Sequence, residues 1–298
     1  MDNAMYNVDD AACYMESMLE QEKNAYSRTS CKYLQGLGYQ IRSNDPNMQE
    51  SRDEDCRSKM VDWCYKVVDF CKYSRETVSI TMSYLDRFLA TPRGLLLCSD
   101  IRTFQLACMT CLYTAVKIHE PEAMQPESIA KLSQGVYSAD EVEAMELEII
   151  KALEWRLNPP TALSFLRVYL SFLPKEFVQT DDINILFDLA NYQIELSTGD
   201  SSFVGVSASS VALAALFNVF RIIEDDTISL LFLQEISSKL KFQYDPNLVH
   251  KAEEKLWKAL HSDHKGKLCH RALRNSSPPI TKERNIASDK SPRCVVSR

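Results

Sequence analysis

The sequence predicts an all-α protein made of two tandem five-helix bundles, with an N-terminal extension and a disordered C-terminal tail. Three observations predict this class. Apolar residues recur every three or four positions, the period of an amphipathic helix, along most of residues 51–262. Glycine occurs only 7 times in 298 residues, and the alternation typical of strands is hard to find. One order of helices also occurs twice, on either side of Asn158-Pro159-Pro160.

The extension, residues 1–50, is polar and is interrupted at Pro46, so we interpret it as partly disordered. One short helix is expected within it, at about residues 11–25. The first bundle is assigned to residues 51–158. Its first helix carries an apolar stripe at helical spacing, which consists of Met60, Trp63, Cys64, Val67, Val68 and Cys71.

Capping and breaking residues delimit the rest of the first bundle. They are Ser74, which can cap the second helix; Pro92 and Gly94, which end it; Pro126, before a short fourth helix; and Ser138 with Glu141, a capping box that opens the fifth. The third helix runs from about residue 100 to residue 119. Small residues at its centre let neighbouring helices approach closely, which predicts a central position. Asn158 ends the fifth helix, because a residue before proline is disfavoured in the α region.

The second bundle, residues 159–262, repeats this plan. Its predicted helices run from Thr161 to Leu173 and then over about 182–197, 202–222, 227–239 and 246–261. The third again has small residues at its centre. Residues 263–298 lose all periodicity and carry nine Lys or Arg against three acids, which indicates a solvated, disordered basic tail.

Composition excludes several classes of protein. A formal charge of −7 and a pI near 5.4 argue against nucleic-acid binding, which needs clustered cations. No apolar run approaches membrane-spanning length, and residues 1–10 do not form a secretion signal. The ten cysteines then indicate reduced thiols in the cytosol or nucleus. Cys108 and Cys111 have metal-like spacing, but they lack a second pair and fit better as small residues in a buried helix.

Enzymatic motifs are weak. Asp181-Asp182 and Asp225-Asp226 lack the further acid of an Asp-rich metal motif, and the five histidines include no His-Glu-x-x-His spacing. We therefore expect no enzyme activity, no metal and no cofactor.

Met60-Val-Asp-Trp63 and the segment from Thr77 to Leu89 (TVSITMSYLDRFL) resemble the first two helices of the cyclin box. The similarity continues through three shorter segments: Tyr113-Thr-Ala-Val-Lys117, Met145-Glu146 and Leu153-Glu-Trp-Arg-Leu157. It covers residues 57–160 in the order expected of that family. The second half resembles the C-terminal cyclin fold in helix count and position alone.

This resemblance implies a non-catalytic subunit that binds and activates a cyclin-dependent protein kinase and controls the cell cycle, in the nucleus and cytoplasm. It places Lys117 and Glu146 at the paired charges that contact the kinase. We expect four apolar residues to join them there, namely Ile118, Ile150, Trp155 and Leu157. From the residues alone, Lys117 is also favoured at its helix end by the helix dipole, and Trp155 could equally lie in the core.

The resemblance also implies a patch that docks kinase substrates or inhibitors carrying an Arg-x-Leu motif, formed by Met60, Trp63, Phe104 and Gln105. Two departures weaken that expectation: Cys56 replaces a methionine, and Lys66 stands where an acid would receive the arginine. The alternative that Met60 and Trp63 are core residues stays open.

Arg57 and Asp86 match an internal ion pair that braces the first two helices of the cyclin box. A second functional reading is a transcription-related adaptor, which can also contain two cyclin folds. Such an adaptor usually needs a basic surface facing DNA, and the predicted helical part of this chain has none.

Overall fold

The computed structural model describes residues 7–26, 46–98, 100–173, 180–223, 226–239 and 244–262. All regular secondary structure in these ranges is helical, so the prediction of an all-α fold is confirmed. None of the helices in them is long and apolar enough to cross a membrane. The predicted basic tail, and the part of the extension between residues 27 and 45, lie outside the described residues.

Twelve α-helices follow one another along the described chain. They are α1 (Val8–Asn24), α2 (Pro46–Cys71), α3 (Glu76–Leu89), α4 (Pro92–Leu97), α5 (Ile101–His119), α6 (Pro126–Leu132), α7 (Ala139–Ala152), α8 (Ala162–Leu170), α9 (Thr180–Gly199), α10 (Ala208–Ile223), α11 (Asp226–Lys239) and α12 (Pro246–Ser262). The short helix expected at about 11–25 is α1.

The chain divides into two compact units, and the main boundary lies between Pro159 and Pro160. The first unit contains α2 to α7 together with residues 198–205. The second contains α1, α8, most of α9, and α10 to α12.

In the first unit α5 is the central helix, as its small residues predict. Every residue of α5 from Phe104 to Val116 is buried, and α5 packs against α3 and α7. Ala107, Cys108, Cys111 and Ala115 are fully buried, which lets the neighbouring helices approach closely. Larger side chains, such as Phe88 at 0% exposure, fill the space between helices and each contribute roughly 1.5–3 kcal/mol by burial.

The second helix ends at Leu89, before Pro92, as predicted, but the short helix α4 that follows it was not predicted. Pro92 and Gly94 both lie inside α4, because Thr91 caps it by accepting a hydrogen bond from the Gly94 amide at 3.0 Å. Proline is well suited to the first position of a helix, where its missing N–H costs nothing. Gly94 is required for a different reason, since a Cβ atom there would lie 2.0 Å from the Phe88 carbonyl oxygen.

The N-terminus of α3 also differs from the prediction. Arg75, not Ser74, is its N-cap residue, and no side chain caps it from that position. The Ser74 hydroxyl still accepts a bond from the Glu76 amide at 3.3 Å. The Glu120 carboxylate accepts bonds from the Ser74 amide at 2.9 Å and from the Thr77 hydroxyl. A residue distant in sequence therefore satisfies donors that the local sequence leaves open.

In the second unit α10 packs against α8 and α12, and α1 packs against α8. The Glu22 carboxylate of α1 accepts bonds from the Ser209 amide at 3.0 Å and from the Ser209 hydroxyl, which stabilises the start of α10.

The single helix predicted over 202–222 is interrupted. A 3-10 turn spans Ser201–Phe203, Gly205 has φ of +84°, and α10 begins only at Ala208. The small residues that suggest one helix include a glycine used for a left-handed backbone.

Candidate functional site

The ion pair predicted between Arg57 and Asp86 is present and joins α2 to α3. Arg57 Nε lies 3.2 Å from Asp86 Oδ1, and Nη2 lies 3.0 Å from Oδ2. The third guanidinium nitrogen donates to the Thr198 carbonyl oxygen at 2.9 Å. The two side chains are only 5% and 14% exposed, so this is a buried, bidentate pair that fixes the first two helices of the unit.

Lys117 and Glu146 pair with each other. Lys117 Nζ, in the last turn of α5, lies 3.2 Å from both carboxylate oxygens of Glu146 on α7. The Thr114 hydroxyl oxygen lies 3.4 Å from Glu146 Oε1, while its one hydrogen is donated to the Thr110 carbonyl oxygen at 3.0 Å. The Glu146 side chain is 12% exposed and the Lys117 side chain 47%. The carboxylate is thus held in a fixed orientation, while the ammonium group remains accessible to another molecule.

The electrostatics favour the charged form of Lys117. Burial alone lowers the pKa of Lys117, but the hydrogen bond and negative charge of Glu146 outweigh it and raise the pKa above its usual value. Lys117 Nζ also lies 5.3 Å from the centre of the Tyr113 ring, where the aromatic face favours a cation. Lys117 therefore remains charged at neutral pH.

Apolar side chains lie beside these charges in sequence. Ile118 follows Lys117 and is 45% exposed, and Trp155, shortly after α7, is 72% exposed. Ile150 and Leu157 are partly buried. Trp155 is therefore not a core residue, which removes one of the two alternatives open at that position. An exposed tryptophan is unusual in a soluble chain and is typical of binding surfaces.

Three polar side chains, two on α3 and one at the end of α5, contact the segment after α7. The Leu157 carbonyl oxygen accepts a bond from the Tyr84 hydroxyl and lies 3.0 Å from His119 Nε2. Arg87 Nη1 donates to the Arg156 carbonyl oxygen at 2.9 Å. All six residues predicted to bind a kinase therefore lie on α5, on α7 and on the segment tied to both. We name the surface made by Lys117, Ile118, Glu146, Ile150, Trp155 and Leu157 the α5–α7 surface.

Tyr84, Arg87 and His119 were not among the predicted site residues. Tyr84 and Arg87 lie within the segment that carries the family resemblance, but their partners are main-chain oxygens. A main-chain acceptor exists at every residue, so the sequence contains no signal for these contacts.

The predicted docking residues lie inside the first unit. Met60 and Trp63 are 2% exposed, and Phe104 and Gln105 are 5% exposed. Trp63 Nε1 is among the few buried side-chain nitrogen and oxygen atoms of the described residues that lack a hydrogen-bond partner. Lys66, one turn beyond Trp63, is exposed. These side chains present little surface in this conformation, and docking stays a prediction.

Cys108 and Cys111 are fully buried in α5. Burial raises the pKa of the Cys111 thiol, and burial likewise raises the pKa of Cys98 to about 12. Protonated, buried thiols are poor nucleophiles and behave as small apolar residues. Within the described ranges, no three His, Cys, Asp or Glu side chains are grouped so that they could hold a metal ion.

Two models of known protein families together match almost the whole described chain. Residues 15–158 match the model of the cyclin N-terminal domain, and residues 160–278 match that of the cyclin C-terminal domain.

Several curated relatives are similar to this chain. Cyclin-A1-4 of Oryza sativa subsp. japonica is 29% identical over 170 residues, which are 57% of this chain and 46% of that protein. G1/S-specific cyclin-E1 of Danio rerio is 31% identical over 44% of this chain and 30% of its own length. G2/mitotic-specific cyclin-4 of Candida albicans is 30% identical over 64% of this chain and 37% of its own. The matches thus span less than half of each of these relatives. They give no support to the transcription-adaptor alternative.

Solved structures have the same fold. A viral cyclin from herpesvirus saimiri superposes with a TM-score of 0.57 at 17% identity, over 85% of this chain and 98% of that one. A chain of the CAK complex from Chaetomium thermophilum bound to ATP-γ-S gives a TM-score of 0.56 at 15% identity, over 87% of each chain. With two family models matched in tandem, the helix order expected of them and this shared fold, the chain belongs to the cyclin family.

Proposed function

We propose that this chain is the non-catalytic regulatory subunit of a cyclin-dependent protein kinase and that it switches the kinase on at a stage of the cell cycle. The observation that carries the proposal is the α5–α7 surface. There a preformed Lys117–Glu146 pair joins the helix that carries the exposed Ile118 to the helix that the exposed Trp155 follows. The curated relatives support it, since they are named as A-type, E-type and mitotic cyclins.

The mechanism follows from what a protein kinase lacks when it is alone. A kinase needs a Lys–Glu pair and a metal-binding Asp in register, and the position of a mobile helix controls this. A rigid surface that binds only the active arrangement shifts the population toward it. Moving a 1:99 equilibrium to 99:1 requires about 5.5 kcal/mol of differential affinity.

The α5–α7 surface is suited to supply that energy. Large aromatic side chains in the centre of an interface are frequent sources of binding energy, and Trp155 is one that is already exposed. Both carboxylate oxygens of Glu146 are held by Lys117, so little side-chain entropy is lost when Glu146 accepts a bond from a partner. Charged groups fix the orientation of the complex, and the apolar groups provide affinity.

The proposal is tested by affinity capture from native lysate with mass spectrometry, followed by activity assays with a panel of purified recombinant cyclin-dependent kinases and a Ser-Pro peptide. We expect one such kinase to dominate the capture and to gain activity with the purified chain. A different stable partner, with no kinase of the panel activated, would contradict the proposal.

A finer part of the proposal concerns docking and location. We propose that substrates or inhibitors of the kinase dock at Met60, Trp63, Phe104 and Gln105. The buried Trp63 Nε1, which lacks a hydrogen-bond partner, supports this docking proposal. We also propose that the chain acts in both nucleus and cytoplasm. Because these side chains are buried, docking requires local opening. Lys66→Glu should strengthen binding of an Arg-x-Leu peptide in a fluorescence titration, since it removes a repulsive cation. Imaging of a tagged chain tests the location.

A further inference from the structure

We infer that three side chains form a clamp on the main chain after α7 and thereby position Trp155 as an anchor for the partner. The clamp consists of Tyr84, Arg87 and His119. Tyr84 and His119 hold the Leu157 carbonyl oxygen, and Arg87 holds the carbonyl oxygen before it. The role of Trp155 as an anchor rests on the proposed function, whereas the contacts of the clamp do not.

The segment that the clamp holds is strained. Glu154 and Trp155 have φ of +53° and +62°, in the left-handed region that side chains with a Cβ atom disfavour. In this conformation the Cβ atom comes too close to the following carbonyl oxygen, and two such residues follow each other here. Main-chain bonds from the Glu154 amide to Lys151 and from the Trp155 amide to Ile150, both at 3.1 Å, close the turn. Strained conformations of this kind persist only where the surroundings determine them.

The clamp fixes this conformation through side chains on two other helices. Tyr84 and Arg87 lie on α3, and His119 is the last residue of α5. Tyr84 is fully buried, so its hydroxyl has a fixed position. The clamp therefore attaches the loop to the rigid part of the first unit rather than to its own helix.

The geometry also fixes one proton. His119 Nε2 lies 3.0 Å from both the Leu157 carbonyl oxygen and the Tyr84 hydroxyl oxygen. A carbonyl oxygen can only accept, so Nε2 must carry a hydrogen, and the Tyr84 hydroxyl donates to the same carbonyl. His119 thus acts as a donor whether the ring is neutral or charged, and glutamine is a substitute that retains a side-chain N–H.

Positioning matters because Trp155 is 72% exposed and lies outside any helix. Without the clamp, binding a partner would require ordering of residues 154–157, at a cost in conformational entropy. A preordered segment avoids this cost, and the gain appears as affinity. Tyr84, Arg87 and His119 are therefore positioning residues that act through Trp155.

The first test needs no partner. Trp63→Phe with Trp257→Phe leaves Trp155 as the only tryptophan in the chain. In that background, His119→Ala should increase the fast component of the Trp155 fluorescence anisotropy decay, and His119→Gln should restore the slow component. Circular dichroism and thermal unfolding verify that each variant remains folded. If His119→Ala leaves the motion of Trp155 unchanged, the inference is overturned.

The second test is a double-mutant cycle by isothermal titration with the kinase that the wild-type chain activates most in the recombinant panel. His119→Ala should weaken binding about tenfold, the loss of about 1.4 kcal/mol. In the Trp155→Ala background the same change should have no more than about a twofold effect, because the two residues act as one. Equal weakening in both backgrounds would overturn the inference.

The two levels of proposal fail differently. If Trp155→Ala binds the kinase as tightly as the wild type, Trp155 is no anchor and the inference is overturned, while the proposed function still stands if the kinase is activated. If no kinase in the panel is bound or activated, the proposed function fails, and with it the role of the clamp in presenting an anchor.

Discussion

The two units of the molecule are built around equivalent central helices, α5 and α10, but their polar side chains have different uses. In the first unit, Lys117 and Glu146 form an ion pair in which the Lys117 side chain is about half exposed. In the second unit, Asn218 of α10 is fully buried. It donates to Gln193 Oε1 at 2.9 Å and to the Glu253 carbonyl oxygen at 3.0 Å. In one unit the polar side chains are therefore accessible to a partner, and in the other they hold the helices of the unit together.

The difference shows that helix order does not determine function. Gln193 also donates to the Ala215 carbonyl oxygen at 3.2 Å, so the polar network of the second unit joins α9, α10 and α12 internally. Hydrogen bonds of that kind make a packing arrangement specific, and the buried side chains that form them are not accessible to a partner. The first unit instead buries its bracing pair, Arg57 and Asp86, and leaves the Lys117 ammonium group accessible.

The largest expected effect on stability is in the first unit. Arg57→Ala leaves the Asp86 carboxylate buried without its partner, and we expect the free energy of unfolding to fall by about 3–5 kcal/mol. Thermal and urea unfolding measure it. The control is Arg75→Ala, which breaks an ion pair whose side chains are more exposed, Arg75 at 33% and Asp69 at 54%. This substitution should lower the free energy of unfolding by less than about 1 kcal/mol. Equal losses in the two variants would show that the buried pair has no special role.

Charge reversal at Lys117 or at Glu146 should abolish kinase binding, with a loss of about 2–5 kcal/mol, and leave helicity and melting temperature nearly unchanged. Lys131→Glu is the matched control, because Lys131 is also an exposed cation in the last turn of a helix. The double variant Lys117→Glu/Glu146→Lys restores the internal pair but not the charges offered to the partner. If that double variant binds as the wild type does, the pair is only structural and the proposed interface is misplaced.

In the second unit, substitution of a polar residue should lower stability, whereas charge reversal at Lys117 or Glu146 should lower binding. Asn218→Ala leaves Gln193 Oε1 and the Glu253 carbonyl oxygen without this donor, so the free energy of unfolding should fall by about 1–3 kcal/mol. Asn191→Ala, at a half-buried position of α9 with one bond of 3.3 Å, should change it by less than about 0.5 kcal/mol. If the two asparagine variants are equally stable, the buried network does not hold this unit together.

Much of the fold was predictable because it depends on local periodicity. The apolar stripe from Met60 to Cys71 and the capping box at Ser138 are both defined by residues close together in sequence. Both predictions are confirmed. Pro92 was correctly predicted to follow the end of α3, but the start of α4 at the same residue was missed, because proline is compatible with both positions. Thr91, which caps α4, is the residue that signals the new helix.

The site was predictable only where the family resemblance named residues. Lys117 and Glu146 are 29 positions apart, and nothing in their local sequence indicates that they pair. The contacts of Tyr84 and His119 with the Leu157 carbonyl oxygen are less visible still, since a main-chain acceptor has no residue type. The interruption at Gly205 was missed because a glycine among alanines and serines also fits a central helix.

The smallest effect concerns the acid stability of two helix starts, one in each unit. Ser138 caps α7 together with Glu141, and the Ser138 amide holds the pKa of Glu141 below its usual value. Thr161 caps α8 through the Ser164 amide at 3.0 Å, with no carboxylate in the bond. A lowered folded pKa means that this stability is complete above the unfolded pKa of about 4.5 and is lost as the pH falls through the folded value.

Glu141→Gln should therefore flatten the decline of the melting temperature below pH 4.5, and Thr161→Ala should lower the melting temperature equally at pH 7 and at pH 3.5. The capping bond to Thr161 involves no group that titrates in this range, so its contribution is independent of pH. Melting curves by circular dichroism at half-unit pH steps measure both slopes. If Glu141→Gln instead shifts the curve by a constant amount at every pH, the carboxylate has no stabilising interaction specific to its charge, and the two helix starts do not differ.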